Sequence, residues 1–219
     1  MITFEQVKQD EAVRTYIQKA DDTLGVIGYT EHAFAHVGRC AETVRELLTR
    51  LGYDSRTVEL GQIAAYLHDI GNMINRTGHA QSGALLAFRI LDKMGMQPGE
   101  ITQVVTAIGH HDEETAYPVT AITSALILAD KSDVRYTRVR LYDPATQDMH
   151  DRVNYAVKRS ELALDEETGT VTLVLEIDAE VSTVTEYFEI FLGRMLLCRK
   201  AAAFFGLEFK LSINGANML

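Results

Sequence analysis

The sequence predicts a mainly α-helical protein that ends in a small α+β unit. From Phe4 to about residue 134, apolar residues recur at spacings of three and four, which is typical of helices with one buried face. Beyond that point apolar and polar residues alternate over Thr170 to Leu175, which is typical of a strand. We therefore expect a helical domain over 1–140 and a C-terminal α+β extension over 141–219 packed on it.

The helical part divides into about six helices at polar, glycine-containing breaks. The breaks are "DDTLGVIGYT", "LGYDSRT", "GNMINRTG", "MGMQPGE" and "HHDEETAYPVT". Side-chain chemistry predicts where these helices begin and end. The predicted N-caps are Thr30 and Thr57, the predicted first-turn proline is Pro98, and the predicted stops are Gly52, Gly71 and Gly95.

The C-terminal part predicts a β-β-α-β unit after a basic link, "VRYTRVRLYDPATQ", and a short helix, "DMHDRVNYAVKRS". "LALDEETGTVTLVLEI" predicts two strands around a Glu-Thr-Gly turn. A long helix follows from Ser182 to Gly206, and "LEFKLSIN" predicts the last strand. This helix is apolar on more than one face, so it favours a homodimer contact about as well as simple core packing.

Composition excludes several classes of function. The formal net charge of −10 disfavours a duplex nucleic-acid partner. The longest apolar stretches are far shorter than the roughly 20 residues that span a membrane. Cys40 and Cys198 lie far apart in helical patterns, which argues against a disulfide framework. The polar N-terminus has no secretory pattern, so we expect a cytoplasmic protein without a membrane partner.

Histidines and acids gather at helix ends and on apolar helix faces. His36 lies on the same stripe as Cys40 and Val44, and Asp130 follows the buried run "ALILA". Each residue alone is more simply a hydrogen-bonded core residue or a helix-end charge. Their convergence from different helices predicts a metal site instead. The complete set is His32, His36, His68, Asp69, His79, His110, His111 and Asp130.

The order His, His-Asp, His, His-His, Asp on consecutive helices resembles the HD-domain superfamily of metal-dependent phosphohydrolases. "HDIG" and "ILADK" are similar to the two most telling segments of that superfamily, and the resemblance spans roughly residues 25 to 135. The link and the β-β-α-β tail resemble a bacterial subgroup of uncharacterised HD proteins. The resemblance implies an HD-type helical bundle.

The resemblance also implies roles for individual residues. One ion would be held by His36, His68, Asp69 and Asp130, and a second by His79, His110 and His111 with Asp69 shared between them. Asp69 and His68 are the expected catalytic residues. His36 is preferred to His32 as a ligand because "HVGR" matches the His-x-x-Arg run of the family. His32 is then a substrate-contacting candidate, with a capping or core role as the alternative.

The sequence departs from the family at two places. Asn72 stands where the resemblance implies a Lys in many relatives, a cation that could meet phosphate or a metal-bound water. "HHDEETAYP" resembles in shortened form the signature of cyclic-dinucleotide phosphodiesterases, and it keeps Tyr117 and Pro118 but lacks the glycines.

The ligand types predict the cofactor, because imidazole-rich sets suit Fe, Mn, Co, Ni or Zn better than Mg or Ca. One or two such divalent ions are expected, with a hydroxide between two ions as the nucleophile that attacks phosphorus. A basic run follows Asp130, and we expect Lys131, Arg135 and Arg138 to bind substrate phosphates. The alternative is a solvated loop that pairs with acids such as Asp133 or Asp143.

These features together predict a phosphohydrolase that cleaves a phosphate ester of a small molecule, with a nucleotide as the first candidate. One alternative is a phosphodiesterase or pyrophosphohydrolase of cyclic or dinucleoside phosphates. Another is a non-catalytic, metal-bound ligand-sensing module. Seven candidate ligands for two ions favour an enzyme, because a structural ion is normally closed by four protein groups.

Overall fold

The computed structural model describes residues 1–140 and 149–218. It divides into two compact units, Met1–Asp130 and Lys131–Leu219. The expectation of a mainly α-helical chain with a small C-terminal sheet is confirmed. Residues 141–148 lie outside the described residues, and with them Asp143 and the first residue of the predicted short helix. The domain boundary predicted between 140 and 141 adjoins this segment and stays a prediction.

The first unit is built from helices and one short 3₁₀ turn, Ile70–Met73. The helices are α1 (Phe4–Gln9), α2 (Glu11–Val26), α3 (Phe34–Arg50), α4 (Ser55–Leu67), α5 (His79–Met94), α6 (Pro98–Gly109) and α7 (Ala121–Ser132), whose last two residues belong to the second unit. Helix α4 packs against α3, α6 and α1, and α5 packs against α6. The central position of α4 explains why this helix is apolar around most of its circumference, with Val58 to Leu67 largely buried.

Two predicted helix starts in the first unit are wrong. Helix α4 begins at Ser55 because the Asp54 carboxylate accepts hydrogen bonds from the N–H groups of Arg56 and Thr57, so Thr57 lies inside the first turn. Helix α3 begins at Phe34, and no side chain caps it, so Thr30 is not its cap. The first-turn Pro98 and the left-handed stop at Gly95 are confirmed.

Gly71 was predicted to end a helix. In the structure its role is to allow a close approach of two backbone segments. It lies inside the 3₁₀ turn that packs against α5. A Cβ atom at this position would lie 2.0 Å from the main-chain oxygen of His79 and 2.5 Å from the nitrogen of Gly83. Only glycine fits there, and the contact fixes the segment after His68 and Asp69 against the start of α5.

The second unit contains the predicted β-β-α-β arrangement. It has a 3₁₀ turn (Tyr136–Arg138), α8 (Met149–Ala156), β1 (Val157–Asp165), β2 (Thr170–Ile177), α9 (Val184–Phe204), β3 (Glu208–Ile213) and a two-residue β4 (Ala216–Asn217). Strand β2 pairs antiparallel with β1 and parallel with β3, as a crossover through α9 requires. The predicted helix "DMHDRVNYAVKRS" ends early, because Val157 to Ser160 already belong to β1.

Alternation along β2 gives the sheet one fully buried face. Val171, Leu173 and Leu175 are buried, and α9 packs against β3. The N-cap of α9 is Thr183 rather than Ser182, and it forms a capping box with Glu186. Within the described residues, no helix has the length and apolar character needed to cross a membrane.

Candidate metal centre

Four buried histidines surround the carboxylate of Asp69. The Nε2 atoms of His68 and His36 lie 3.2 and 3.7 Å from Asp69 Oδ2. The Nε2 atoms of His79 and His111 lie 3.6 and 4.0 Å from Asp69 Oδ1. These side chains come from α3, the end of α4, the start of α5 and the residues after α6, so four separate elements converge on one carboxylate.

The two oxygens of Asp69 divide the cluster into two half-sites. The Oδ2 half-site contains His36, His68 and Asp130, whose Oδ1 lies 3.3 Å from His36 Nε2 and 3.7 Å from His68 Nε2. The Oδ1 half-site contains His79 and His111. Ligand atoms of His36, His68 and Asp130 lie within 4.8 Å of one another, as do those of His68, Asp69 and His111. Both groups can therefore hold a metal ion.

Backbone contacts fix the tautomers of three of these histidines. The Nδ1 atoms of His68, His79 and His111 lie 2.7, 3.0 and 2.6 Å from the carbonyl oxygens of Ala65, Arg76 and Ile108, in that order. A carbonyl oxygen only accepts, so each Nδ1 carries the proton and donates it. The lone pair of each neutral ring is then on Nε2, the atom that faces Asp69, which is the arrangement that ligating histidines use.

His68 has a buried nitrogen that the protein does not satisfy. Its Nε2 atom is inaccessible to water and makes no hydrogen bond of acceptable geometry, although two carboxylates lie within 3.7 Å. Burial opposes protonation of this ring, but the Asp69 and Asp130 carboxylates outweigh it and raise the pKa of His68 to about 10. The centre therefore attracts positive charge at this atom, and a divalent cation meets that requirement.

The pKa values of Asp69 and His79 are also shifted by burial and by neighbouring charged groups. Burial would raise the pKa of Asp69, but the His68 side chain beside it, with smaller contributions from His32 and His79, holds that pKa well below its usual range. Burial lowers the pKa of His79, and Asp69 only partly opposes this. Asp69 is thus an anion, and His79 favours the neutral form that binds metals.

Asn72 orients Asp69. Its side-chain nitrogen donates to Asp69 Oδ1 at 2.9 Å and to the Asp69 carbonyl oxygen at 3.0 Å. The residue is fully buried. Asn72 therefore restrains the carboxylate that the two half-sites share, a role that the sequence did not indicate.

His32 lies beside the centre without joining either half-site. Its ring centroid is 5.5 Å from that of His36, and its Nδ1 lies 2.6 Å from the Thr30 carbonyl oxygen. The buried Asp21 carboxylate accepts a hydrogen bond from the main-chain N–H of His32 at 2.7 Å. The α2 helix thereby holds the loop that carries this imidazole, and the substrate contact expected of His32 stays a prediction.

His110 belongs to neither group of ligand atoms. It is the C-cap of α6, and its Nδ1 is buried without a hydrogen-bond partner. A ligand role for His110 stays a prediction.

The predicted phosphate contacts lie in the second unit, where an acid accompanies them. Arg135 donates to Asp133 Oδ1 at 2.7 Å, and Arg138 donates to the Asp133 carbonyl oxygen at 2.7 Å. Arg138, Lys131 and Asp133 are all buried. The pairing with Asp133 agrees with the alternative interpretation of the basic run, whereas the burial does not fit a solvated loop. Substrate contact by Lys131, Arg135 and Arg138 stays a prediction.

Sequence reasoning missed Asp112. Its Oδ1 atom lies 3.8 Å from His79 Nε2, on the Oδ1 side of Asp69, and its side chain is 15% exposed. The residue directly follows the His-His pair, and this adjacency to a candidate ligand was the available signal. With Asp69 and Asp130 it brings the carboxylates around the centre to three.

The HD domain family model matches residues 33–138, which include both half-sites. This segment is an HD domain. One similar solved structure, of a predicted HD superfamily hydrolase from an uncultured Thermotogales bacterium, has 25% sequence identity and a TM-score of 0.45. The match covers 57% of this chain and 67% of that one. The comparison with curated proteins gave no match.

An HD domain with clusters of ligand atoms around its His-Asp pair indicates a metal-dependent hydrolase. The donor set fits a divalent ion, since three tautomers present Nε2 to the centre, one buried nitrogen has no protein partner and a shared carboxylate lies between the rings. Imidazole-rich sets of this kind suit transition metals better than Mg or Ca.

Proposed function

We propose that this protein is a metal-dependent phosphohydrolase that cleaves a phosphate ester of a small molecule, with a nucleotide as the first candidate. The single observation that carries the proposal is the position of the Asp69 carboxylate. The Nε2 atoms of four imidazoles lie within 4.0 Å of its two oxygens. A structural ion needs four protein groups, and this centre offers more than four around one shared carboxylate.

Each half-site would supply the ligands of one metal ion. His36, His68, Asp130 and Asp69 Oδ2 would hold one divalent ion, and His79, His111 and Asp69 Oδ1 would hold a second. Bound ions would supply Lewis acidity toward a phosphoryl oxygen and would lower the pKa of a coordinated water. Fe, Mn, Co, Ni and Zn are the candidate metals.

The residues of the chain contribute orientation and charge. Asn72 keeps Asp69 Oδ1 directed at the Oδ1 half-site through its 2.9 Å hydrogen bond. The carbonyl oxygens of Ala65 and Ile108 hold the protons on Nδ1 of His68 and His111, which keeps both Nε2 atoms available as ligands. Burial of these rings keeps bulk solvent away from them and strengthens the electrostatic interactions between them and the carboxylates.

The proposal is tested with protein purified without chelator. Elemental analysis gives the metal content, and phosphate release is then measured with Mn, Fe, Co, Zn or Mg added. The panel contains nucleoside monophosphates, p-nitrophenyl phosphate, bis-p-nitrophenyl phosphate, a cyclic dinucleotide and a dinucleoside polyphosphate.

Each outcome selects one interpretation. Metal-dependent release of phosphate from monoesters supports the proposal. Cleavage restricted to the diesters or the polyphosphate favours the phosphodiesterase or pyrophosphohydrolase alternative. Bound metal without turnover of any compound favours the ligand-sensing module and contradicts the proposal.

A further inference from the structure

Arg76 lies at the Oδ1 half-site although no sequence motif singled it out. It belongs to the segment between the 3₁₀ turn and α5. Its Nη1 atom is 3.5 Å from His79 Nε2 and 3.4 Å from the side-chain oxygen of Asn72. Its guanidinium carbon is 5.4 Å from the ring centroid of Tyr29. The guanidinium is thus held between an aromatic face and the metal centre.

Within Met1–Asp130, Arg76 forms no direct ion pair with a carboxylate. The arginines at positions 45 and 56 of the same unit form ion pairs with Glu42, Glu59 and Glu100, whereas Arg76 has only neutral partners, namely the Asn72 amide oxygen, the His79 imidazole and the Tyr29 ring. A half-buried, permanently charged guanidinium without an acidic partner retains donors for an anion.

Arg76 would lie close to a cation bound at His79. The Asp69 and Asp112 carboxylates lie within 3.8 Å of His79 Nε2, and an anion between the two cations would stabilise them further. A guanidinium and a metal ion near the same Nε2 repel each other in a partly buried site. A phosphoryl group removes this repulsion, because its oxygens accept hydrogen bonds from the guanidinium and coordinate the ion at the same time.

We propose that Arg76, stacked on Tyr29, binds the phosphoryl oxygens of the substrate on the Oδ1 side of Asp69. The inference rests on the proposed function, because it assumes a phosphorylated substrate. Arg76 is then the substrate contact of the first unit, and Tyr29 orients its planar fork of donors through the cation–π contact. Asn72 connects this contact to Asp69, since it accepts from Arg76 and donates to the carboxylate.

The test measures binding of inorganic phosphate to the Mn-loaded full-length protein by calorimetry. Arg76→Gln is expected to weaken phosphate binding by about 10- to 100-fold, because a charge-assisted bidentate contact is lost. Arg76→Lys keeps the charge but loses the fork and the stacking, so an intermediate loss of affinity is expected. Tyr29→Leu is expected to weaken phosphate binding about threefold through loss of the cation–π contact.

Arg89→Gln is the matched control, because Arg89 is an exposed arginine on α5 of the same unit. It should bind phosphate as the wild type does, and all four variants should keep the wild-type Mn content and circular dichroism. Phosphate affinity of Arg76→Gln equal to that of Arg89→Gln would overturn the inference. So would loss of Mn from Arg76→Gln, because the role of Arg76 would then be structural.

Failure of this inference is distinguishable from failure of the proposed function. If the wild type hydrolyses phosphomonoesters while Arg76→Gln binds phosphate normally, the role proposed for Arg76 is wrong and the proposed function stands. If the wild type binds Mn and phosphate with the expected dependence on Arg76 but hydrolyses nothing, the function is wrong and the anion site stands. Mn-loaded wild type that binds no phosphate overturns the inference.

Discussion

The two half-sites around Asp69 differ in how the chain builds them. The Oδ2 half-site takes His36 from inside α3, His68 from the end of α4 and Asp130 from α7. The Oδ1 half-site takes His79 from the first position of α5 and His111 from the segment after α6. Asp112 and Arg76, both in irregular segments, lie beside the second half-site only.

We infer from this difference that the Oδ2 half-site mainly binds an ion and that the Oδ1 half-site also contacts the substrate. His36 and Asp130 lie within packed helices, which hold side chains rigidly, and His68 directly follows α4. The Oδ2 half-site, with three protein groups besides the shared carboxylate, should therefore bind its ion more tightly. The Oδ1 half-site has two such groups and a neighbouring cation. We infer that the substrate approaches on the Oδ1 side, where ligands and donors come from helix ends.

The largest expected effect is that of Asp69→Asn, because both half-sites use this carboxylate. The variant keeps the shape of the side chain but loses its charge, so we expect metal content to fall at both half-sites. The value of kcat/KM should fall by at least about 1000-fold, which corresponds to about 4 kcal/mol of transition-state stabilisation. Elemental analysis and phosphomonoester kinetics measure the two effects. Asp92→Asn, an exposed acid on α5, is the control and should change neither.

The two half-sites should respond differently to loss of one imidazole. His79→Gln should remove the Oδ1 ion and leave about one ion per chain, whereas His36→Gln should weaken the tighter Oδ2 ion by more than about 100-fold. Chelator titration followed by elemental analysis measures both. Equal loss of metal in the two variants would contradict the distinction between the half-sites.

The backbone contact at Gly71 holds the segment after His68 and Asp69 against the start of α5, which carries His79. Gly71→Ala places a Cβ atom 2.0 Å from a main-chain oxygen of α5, and we expect the free energy of unfolding to fall by about 3 kcal/mol. Urea denaturation of the metal-free protein measures this change. Gly38→Ala in α3 is the control, because its Cβ atom meets nothing within 4 Å and alanine favours a helix by about 0.5 to 1 kcal/mol. If both variants are equally stable, the packing described for the 3₁₀ turn is wrong.

A smaller effect is expected at Asn72, which orients the shared carboxylate without reaching the ions. Asn72→Ala should lower metal affinity or kcat/KM by about 10- to 100-fold, or about 1.4 to 2.7 kcal/mol. The exposed Asn75, whose side chain contacts only its own turn, provides the control variant Asn75→Ala. Wild-type metal affinity and kinetics in Asn72→Ala would remove Asn72 from the centre.

The sequence indicated the candidate ligands that lie in helices or directly after them better than the groups in the connecting segments. His36, His68, Asp69 and Asp130 were recognisable because they lie at fixed positions relative to apolar helical stripes and match the ordered pattern of the HD domain. Arg76 and Asp112 were missed because they lie in irregular segments, where no periodicity fixes the direction of a side chain. Their proximity to His79 depends on how two loops meet in space.

The basic run and the helix starts illustrate the same limit. Lys131, Arg135 and Arg138 stand out by charge density, yet charge density does not indicate that Asp133 lies beside both arginines. Thr57 and Asp54 are both good capping residues, and only the backbone geometry shows that Asp54 caps α4. Composition and spacing thus predicted the fold class and the approximate centre, while pairing between neighbours required the structure.

The central claim is that one carboxylate serves two metal-binding half-sites. Anomalous diffraction at the Mn absorption edge from crystals of the Mn-loaded protein tests this claim most directly. We predict two anomalous peaks at Asp69, one among His36, His68 and Asp130 and the other beside His79 and His111. A single peak, peaks away from Asp69 or no peak in crystals of Mn-containing protein would contradict the account.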